Sequence, residues 1–175
     1  RFREVAMELV SSDSNVWIDF EVIDRLDLPF HLPHKYVMCK DAFLQELFPF
    51  SNKMAGLCDK GLHLVDLTDA ELQLVLSWEQ KYRKLSRFDR CALAIALKRN
   101  CVLLTGDKAL RNAADCEGVP LMGTLGIFDL LFALDVLDCS GFLECLKLLQ
   151  AHNGQEVRLP TNEIDDTIKL LEAFV

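Results

Sequence analysis

Two stretches of the chain, Glu8-Leu-Val-Ser-Ser-Asp13 and Cys101-Val-Leu-Leu-Thr-Gly-Asp107, run from an apolar segment of strand length straight into a helical pattern. The same alternation recurs between them. Strands are expected at 8–12, 36–39, 62–67, 102–105 and 120–123, where apolar residues cluster or alternate. Helices are expected at 15–26, 41–48, 51–59, 70–84, 87–99 and 107–116, then at 124–135, 140–152 and 161–174. Parallel neighbours need a crossover, which helices supply, so this order predicts an α/β fold. The expected architecture is a three-layer α-β-α sandwich with a mostly parallel sheet.

Local chemistry sets the punctuation. Pro29 and Pro33 break the helical pattern into a loop over 28–34, and Pro49 ends the helix that carries Phe43, Leu44, Leu47 and Phe48. Asp69 is the expected cap of helix 70–84, and Ser86 opens helix 87–99. The centre of that second helix, Cys91-Ala-Leu-Ala-Ile-Ala-Leu97, is apolar nearly all round, so it should be buried against the sheet. The expected organisation is an α/β domain over 1–138 and a helical C-terminal extension, 139–175, packed on it.

The chain of 175 residues can bury a core without disulfides, and 51% apolar with 26% charged residues describes a globular protein. Its formal charge of −8 argues against broad, unaided electrostatic binding of nucleic acid. It does not exclude a nucleic-acid enzyme whose acids are neutralised by divalent metal. Seven cysteines form no CxxC pair, which points to reduced thiols and a cytoplasmic setting. No apolar run approaches the roughly 20 residues of a membrane span, and residues 1–6 lack the apolar stretch of a signal peptide.

Ligands of open α/β sheets bind beyond the carboxyl ends of the strands. Asp13 and Asp107 are delivered to that edge from distant parts of the chain, and Glu46 and Asp89 stand at two further junctions. Each acid has a structural reading as well. Asp13 and Asp107 suit helix N-caps, Asp89 completes a Ser-x-x-Asp box with Ser86, and Glu46 suits a solvated helix face. Converging, the four would repel one another unless a hard cation held them. Mg²⁺ and Mn²⁺ favour carboxylate ligands and can activate a water against a phosphodiester.

These residues resemble the motifs of a known family. Ser12-Asp13-Ser14-Asn15 looks like the opening Asp-x-Asn motif of PIN-domain proteins. Ser86-Arg-Phe-Asp89 with the Ala-rich run after it is similar to the third acidic motif, and Leu104-Thr105-Gly106-Asp107 to the Thr-x-Asp motif. Gln45-Glu46-Leu47 falls where the second acid lies, with Asp41 as a competitor. The resemblance covers about residues 8–135. It implies metal-dependent RNA cleavage, with Asp13, Glu46, Asp89 and Asp107 both catalytic and ligands of Mg²⁺ or Mn²⁺. Asn15 would brace the cluster and Thr105 would orient the Asp107 loop. A metal-bound water would attack in line, leaving a 3′-hydroxyl and a 5′-phosphate. Many relatives are VapC-type toxins held by an antitoxin. This chain is longer than a minimal toxin, and its tail from Arg158 resembles that of a longer bacterial subgroup.

Arg87, Arg90, Lys108 and Arg111 flank the acids and are candidate RNA contacts; each is equally an ordinary solvated helix residue. The run Lys81, Arg83, Lys84 has the same two readings. His31 and His34 have no partners that complete a zinc pattern. Phe128 to Leu134 is apolar enough to cover a second copy or an antitoxin, with core packing as the default. Two functions compete with the nuclease. A catalytically silent PIN-like module binding RNA or protein would show a broken acid set. A phosphate-binding α/β domain would need a phosphate-cradling loop after the first strand, where Ser12-Asp13-Ser14-Asn15 stands instead.

Overall fold

The computed structural model describes residues 7–174, and the reading of residues 1–6 lies outside them. The chain runs β1 (Glu8–Ser12), α1 (Ser14–Val22), β2 (His34–Cys39), α2 (Lys40–Ala42), α3 (Leu57–Lys60), β3 (His63–Val65), α4 (Asp69–Lys81) and α5 (Arg87–Lys98). It continues through β4 (Val102–Leu104), α6 (Lys108–Glu117), β5 (Leu121–Met122), α7 (Thr124–Ala133), α8 (Cys139–His152) and α9 (Thr161–Glu172). The strands form one sheet in the order β3-β2-β1-β4-β5, and every pairing is parallel.

This order reverses direction between β1 and β4. The chain leaves β1 towards β2 and β3, then crosses back to lay β4 on the other side of β1. Such a switch point leaves a crevice at the carboxyl ends of the two strands. The register pairs Ser12 with Leu104, and the Asp13 amide donates to the Leu104 carbonyl at 3.0 Å. Asp13 and the Thr105–Asp107 loop therefore leave the sheet side by side.

Helices cover both faces. On one, α5 lies across β1, β2 and β4, with α4 and α6 beside it. Its Cys91–Ala96 run is buried as expected, and the Ser11 hydroxyl donates to the Ala92 carbonyl at 2.8 Å. On the other face α1, α7 and α8 share aromatic stacking, Phe20 on Phe128 at 5.2 Å and Phe128 on Phe142 at 5.5 Å. The helix α9 packs on α8. Phe128 and Leu131 are thus core, the default reading of their segment, while Phe132 remains exposed.

Several boundaries differ from the sequence expectation, each for a local reason. Helix α1 stops at Val22 rather than 26 because Asp24 takes a left-handed φ of 58°. The Arg25 amide bonds Phe20 and the Asp24 amide bonds Glu21, the two bonds of a Schellman ending. The buried Ile23 and Leu26 continue the apolar pattern past the break, which hides it. The loop at 28–34 contains a 3-10 turn, Leu28–His31. The cap of α4 is Thr68, not Asp69, because Glu71 stands three residues on and closes a reciprocal box with it. Glu71 is buried and also takes a bidentate Arg99 at 2.7 and 3.1 Å, tying the start of α4 to the end of α5. All seven cysteines are free thiols. No helix among the described residues is long and apolar enough to cross a membrane.

Asp19 of α1 is buried and accepts a hydrogen bond from Thr124, the first residue of α7. Burial pushes its carboxyl up to about 7, against the lowering effect of Thr124. A carboxyl raised in the folded state stabilises fully below its unfolded value of 3.8, and that contribution is lost as pH rises through about 7. Asp19→Asn keeps an acceptor for Thr124 and carries no charge. It is predicted to gain in Tm over the wild type by more at pH 8 than at pH 4, a difference worth a few kcal/mol. Equal Tm differences at the two pH values would refute the burial account.

Candidate acidic site at the β1–β4 edge

The helix-cap readings of the acids hold, and for Asp89 and Asp107 the capping bond leaves one carboxylate oxygen over. Asp13 caps α1, with Oδ1 accepting the Ser14 amide at 2.7 Å. Asp89 accepts the Ser86 amide on Oδ2 at 2.6 Å, and Asp107 accepts the Leu110 amide on Oδ1 at 2.8 Å. Among the described residues, the second oxygens of Asp89 and Asp107 have no hydrogen-bond partner.

Two hydroxyls tie Asp13 to the Asp107 loop and to Glu46. Thr105 Oγ1 donates to Asp13 Oδ2 at 3.0 Å and accepts the Asp107 amide at 3.1 Å. Thr105 therefore orients the Asp107 loop and fastens it to Asp13. Ser14 Oγ donates to Glu46 Oε2 at 2.8 Å and stands 3.4 Å from Asp13 Oδ1. The bracing contact comes from Ser14 and not from Asn15, whose side chain is exposed and bonds none of the acids among the described residues. Asn15, and not Ser14, fits the Asp-x-Asn spacing of the motif, and no periodicity marks a buried serine at the first position of a helix.

Glu46 reaches Ser14 from an unusual backbone. After α2 the helix widens into a π turn over Phe43–Leu47, closed by the Phe48 amide on the Phe43 carbonyl at 2.9 Å. Such widened turns recur at functional sites because they re-aim a side chain. The competitor Asp41 points elsewhere: it is exposed and stands 3.9 Å from Arg87.

The electrostatics are those of crowded like charges. Asp13 is pushed up to about 7, first by burial and next by the Asp89 charge, with a smaller push from Glu46. Glu46 is also raised, by burial and then by Asp89. No three His, Cys, Asp or Glu side chains among the described residues converge closely enough to hold a metal ion. Both oxygens of Asp13 are occupied, by Ser14 and Thr105. In donor chemistry the set suits a hard divalent cation; in separation it is open.

The basic residues divide. Arg90 turns inward, donating to the Leu85 carbonyl at 3.3 Å, with its Nε buried and unpartnered among the described residues. Arg87 is exposed beside Asp41, and Lys81 pairs with Glu117 at 2.6 Å. Lys108 and Arg111 line a cavity beside Asp107.

The family described as a PIN domain matches residues 9–173, a span that includes α8 and α9. No match was found among curated proteins or among solved structures.

Thr105→Val removes the hydroxyl that lowers the Asp13 carboxyl and leaves the Asp107 amide without its acceptor. The variant is predicted to lose about 1–3 kcal/mol of stability. Its Asp13 carboxyl should titrate above the wild-type value when followed by the carbon-13 shift. An unchanged Asp13 titration would show that Thr105 does not govern that carboxyl.

Proposed function

The chain belongs to the PIN-domain family, and from that premise we propose that it is an endoribonuclease dependent on Mg²⁺ or Mn²⁺. PIN domains are generally nucleases. The observation that carries the reading is the junction at Thr105 and Ser14, which links Asp13, Asp107 and Glu46 at the switch point of the sheet, with Asp89 near enough to repel Asp13.

In this reading Asp13, Glu46, Asp89 and Asp107 hold the cation. When bound, it stabilises charge on the phosphodiester and makes a water a competent nucleophile. The remaining work belongs to the chain. Thr105 and Ser14 keep the carboxylates oriented before substrate arrives, which avoids reorganisation during the reaction. The capping bonds of Asp89 and Asp107 leave one oxygen of each available to the cation. Lys108 and Arg111 meet phosphates of the RNA beside Asp107. A silent binding module would be expected to have lost an acid, and all four are present.

The partners follow from the same reading. RNA is the substrate. If the chain acts as a toxin, its antitoxin covers the exposed Leu44 and Phe48, which flank Glu46; a second copy is the other partner expected. Seven free thiols suit work in the cytoplasm.

The test is cleavage of a mixed single-stranded and structured RNA by purified protein in Mn²⁺, in Mg²⁺ and in EDTA. Cleavage is predicted with metal only, leaving 5′-phosphate and 3′-hydroxyl ends. Asp13→Asn and Asp107→Asn should each cost more than the roughly 100-fold that losing an outer-shell partner costs. Cleavage that survives both substitutions, or none with either metal, would defeat the proposal.

A further inference from the structure

Three residues, Thr105, Gly106 and Asp107, join β4 to α6 and carry one of the four acids. The first and last are well tied. The Thr105 amide donates to the Met122 carbonyl at 3.0 Å, and the Thr105 carbonyl accepts Arg111 Nη1 at 3.2 Å. Its hydroxyl serves Asp13 and the Asp107 amide, and Asp107 caps α6. Gly106, between them, makes no hydrogen bond among the described residues. With no side chain to pack, a glycine so placed is the loosest link of the loop. Open space adjoins it as well, since Gly106 and Asp107 line a cavity of about 760 Å³.

What covers Gly106 is Leu159, from the turn between α8 and α9. Its Cδ2 lies 3.9 Å from where a Gly106 Cβ would stand, and among the described residues nothing else outside the loop comes within 4 Å of that point. Leu159 is buried, while Arg158 and Pro160 on either side of it are exposed. Asn153 sets its place, donating to the Leu159 carbonyl and accepting the Leu159 amide, both at 3.0 Å. These two bonds fix a stretch of backbone that belongs to no helix or strand. Asn153 is held in turn. Its amide donates to the Gln150 carbonyl at 3.2 Å, and Gly154, at a φ of +89° that favours glycine, bonds the Val157 carbonyl at 2.9 Å. The buried Val157 and Ile164 root the turn in the core.

We propose that Leu159, set by Asn153, is a positioning residue for Asp107, keeping the Thr105–Asp107 loop in the geometry that offers the second Asp107 oxygen to a cation. The inference rests on the cation reading of the acids and extends it to the region after residue 139. An ion held about 2 Å from its oxygens tolerates little slack in a ligand. Groups standing behind metal ligands are accordingly worth about 10–100-fold in affinity. A single carbon contact near 3.9 Å is weak, but this one falls on the residue that the hydrogen bonds leave loose. Arg111 supports the loop too, yet it grips Thr105, one residue back from Gly106. An apolar brace also adds no charge to an edge where acids already repel one another.

The test reads two quantities on the whole chain: hydrogen exchange of the Asp107 amide in the metal-free protein, and affinity for Mn²⁺. Leu159→Ala is predicted to speed exchange of that amide and to weaken Mn²⁺ binding roughly tenfold, the lower end of what losing a partner behind a ligand costs. Asn153→Ala should do the same, since it releases the Leu159 backbone. Leu159→Met, which keeps most of the volume, should stay close to the wild type on both readouts. Gly106 takes no left-handed φ, and a Cβ there meets only ordinary contact. Gly106→Ala therefore stiffens the loop and should recover part of the affinity lost in Leu159→Ala. As a control, Leu62→Ala empties the core beside β3, at the far edge of the sheet, and should lower Tm without moving either readout. Unchanged Asp107 exchange in Leu159→Ala would overturn the inference, as would faster exchange with undiminished Mn²⁺ affinity. Equal losses in Leu62→Ala would overturn it too, because the effect would then be one of general stability. If the wild type binds Mn²⁺ and Leu159→Ala moves neither readout, the positioning role fails and the cation reading stands. If the wild type binds no Mn²⁺ while Leu159→Ala still speeds the exchange, the cation reading fails and the clamp on the loop stands.

Discussion

The amide of Asp13 donates to the carbonyl of Leu104, carrying the β1–β4 pairing one residue past the end of β1. Most of the site depends on that extension. It sets Thr105 beside Asp13, so that one hydroxyl can give its proton to the Asp13 carboxylate and receive the Asp107 amide. A slip of one residue would turn Thr105 to the other face of the sheet and separate the two acids. The burial of Ser11, Ser12, Val10, Leu103 and Leu104 on both sides of the pairing holds the register.

Placing acids there has an electrostatic cost that the fold distributes. Asp13 carries most of it, being nearly fully buried and repelled by Asp89 and Glu46. The caps of α1, α5 and α6 offset part, because each carboxylate at a helix N-terminus meets amide donors and the positive end of the dipole. For Asp89 and Asp107 the capping bond consumes one oxygen and leaves another, whereas both oxygens of Asp13 are bonded, to Ser14 and Thr105.

The parts of this design written in local pattern were legible in the sequence. The strand-to-helix junctions at Asp13 and Asp107, the buried Ala-rich helix and the Ser86–Asp89 box appear in the structure as expected. The parts that arise from three-dimensional proximity were not. Ser14 becomes a link only when Glu46 is brought to it from 32 residues away, and Glu46 arrives through a π turn that no residue pattern announces. The Schellman ending at Asp24 uses an aspartate where glycine is the usual signal.

The central claim is that the acids at the β1–β4 edge form one site for a divalent cation. The most direct measurement is titration of Mn²⁺ into the metal-free protein, with electron paramagnetic resonance reading the ion that stays free. The account predicts that the wild type removes the free-ion signal in stoichiometric proportion, and that Asp13→Asn and Asp107→Asn leave it at the level of buffer. Binding that persists unchanged in both variants, or a wild type that leaves all the Mn²⁺ free, would contradict it.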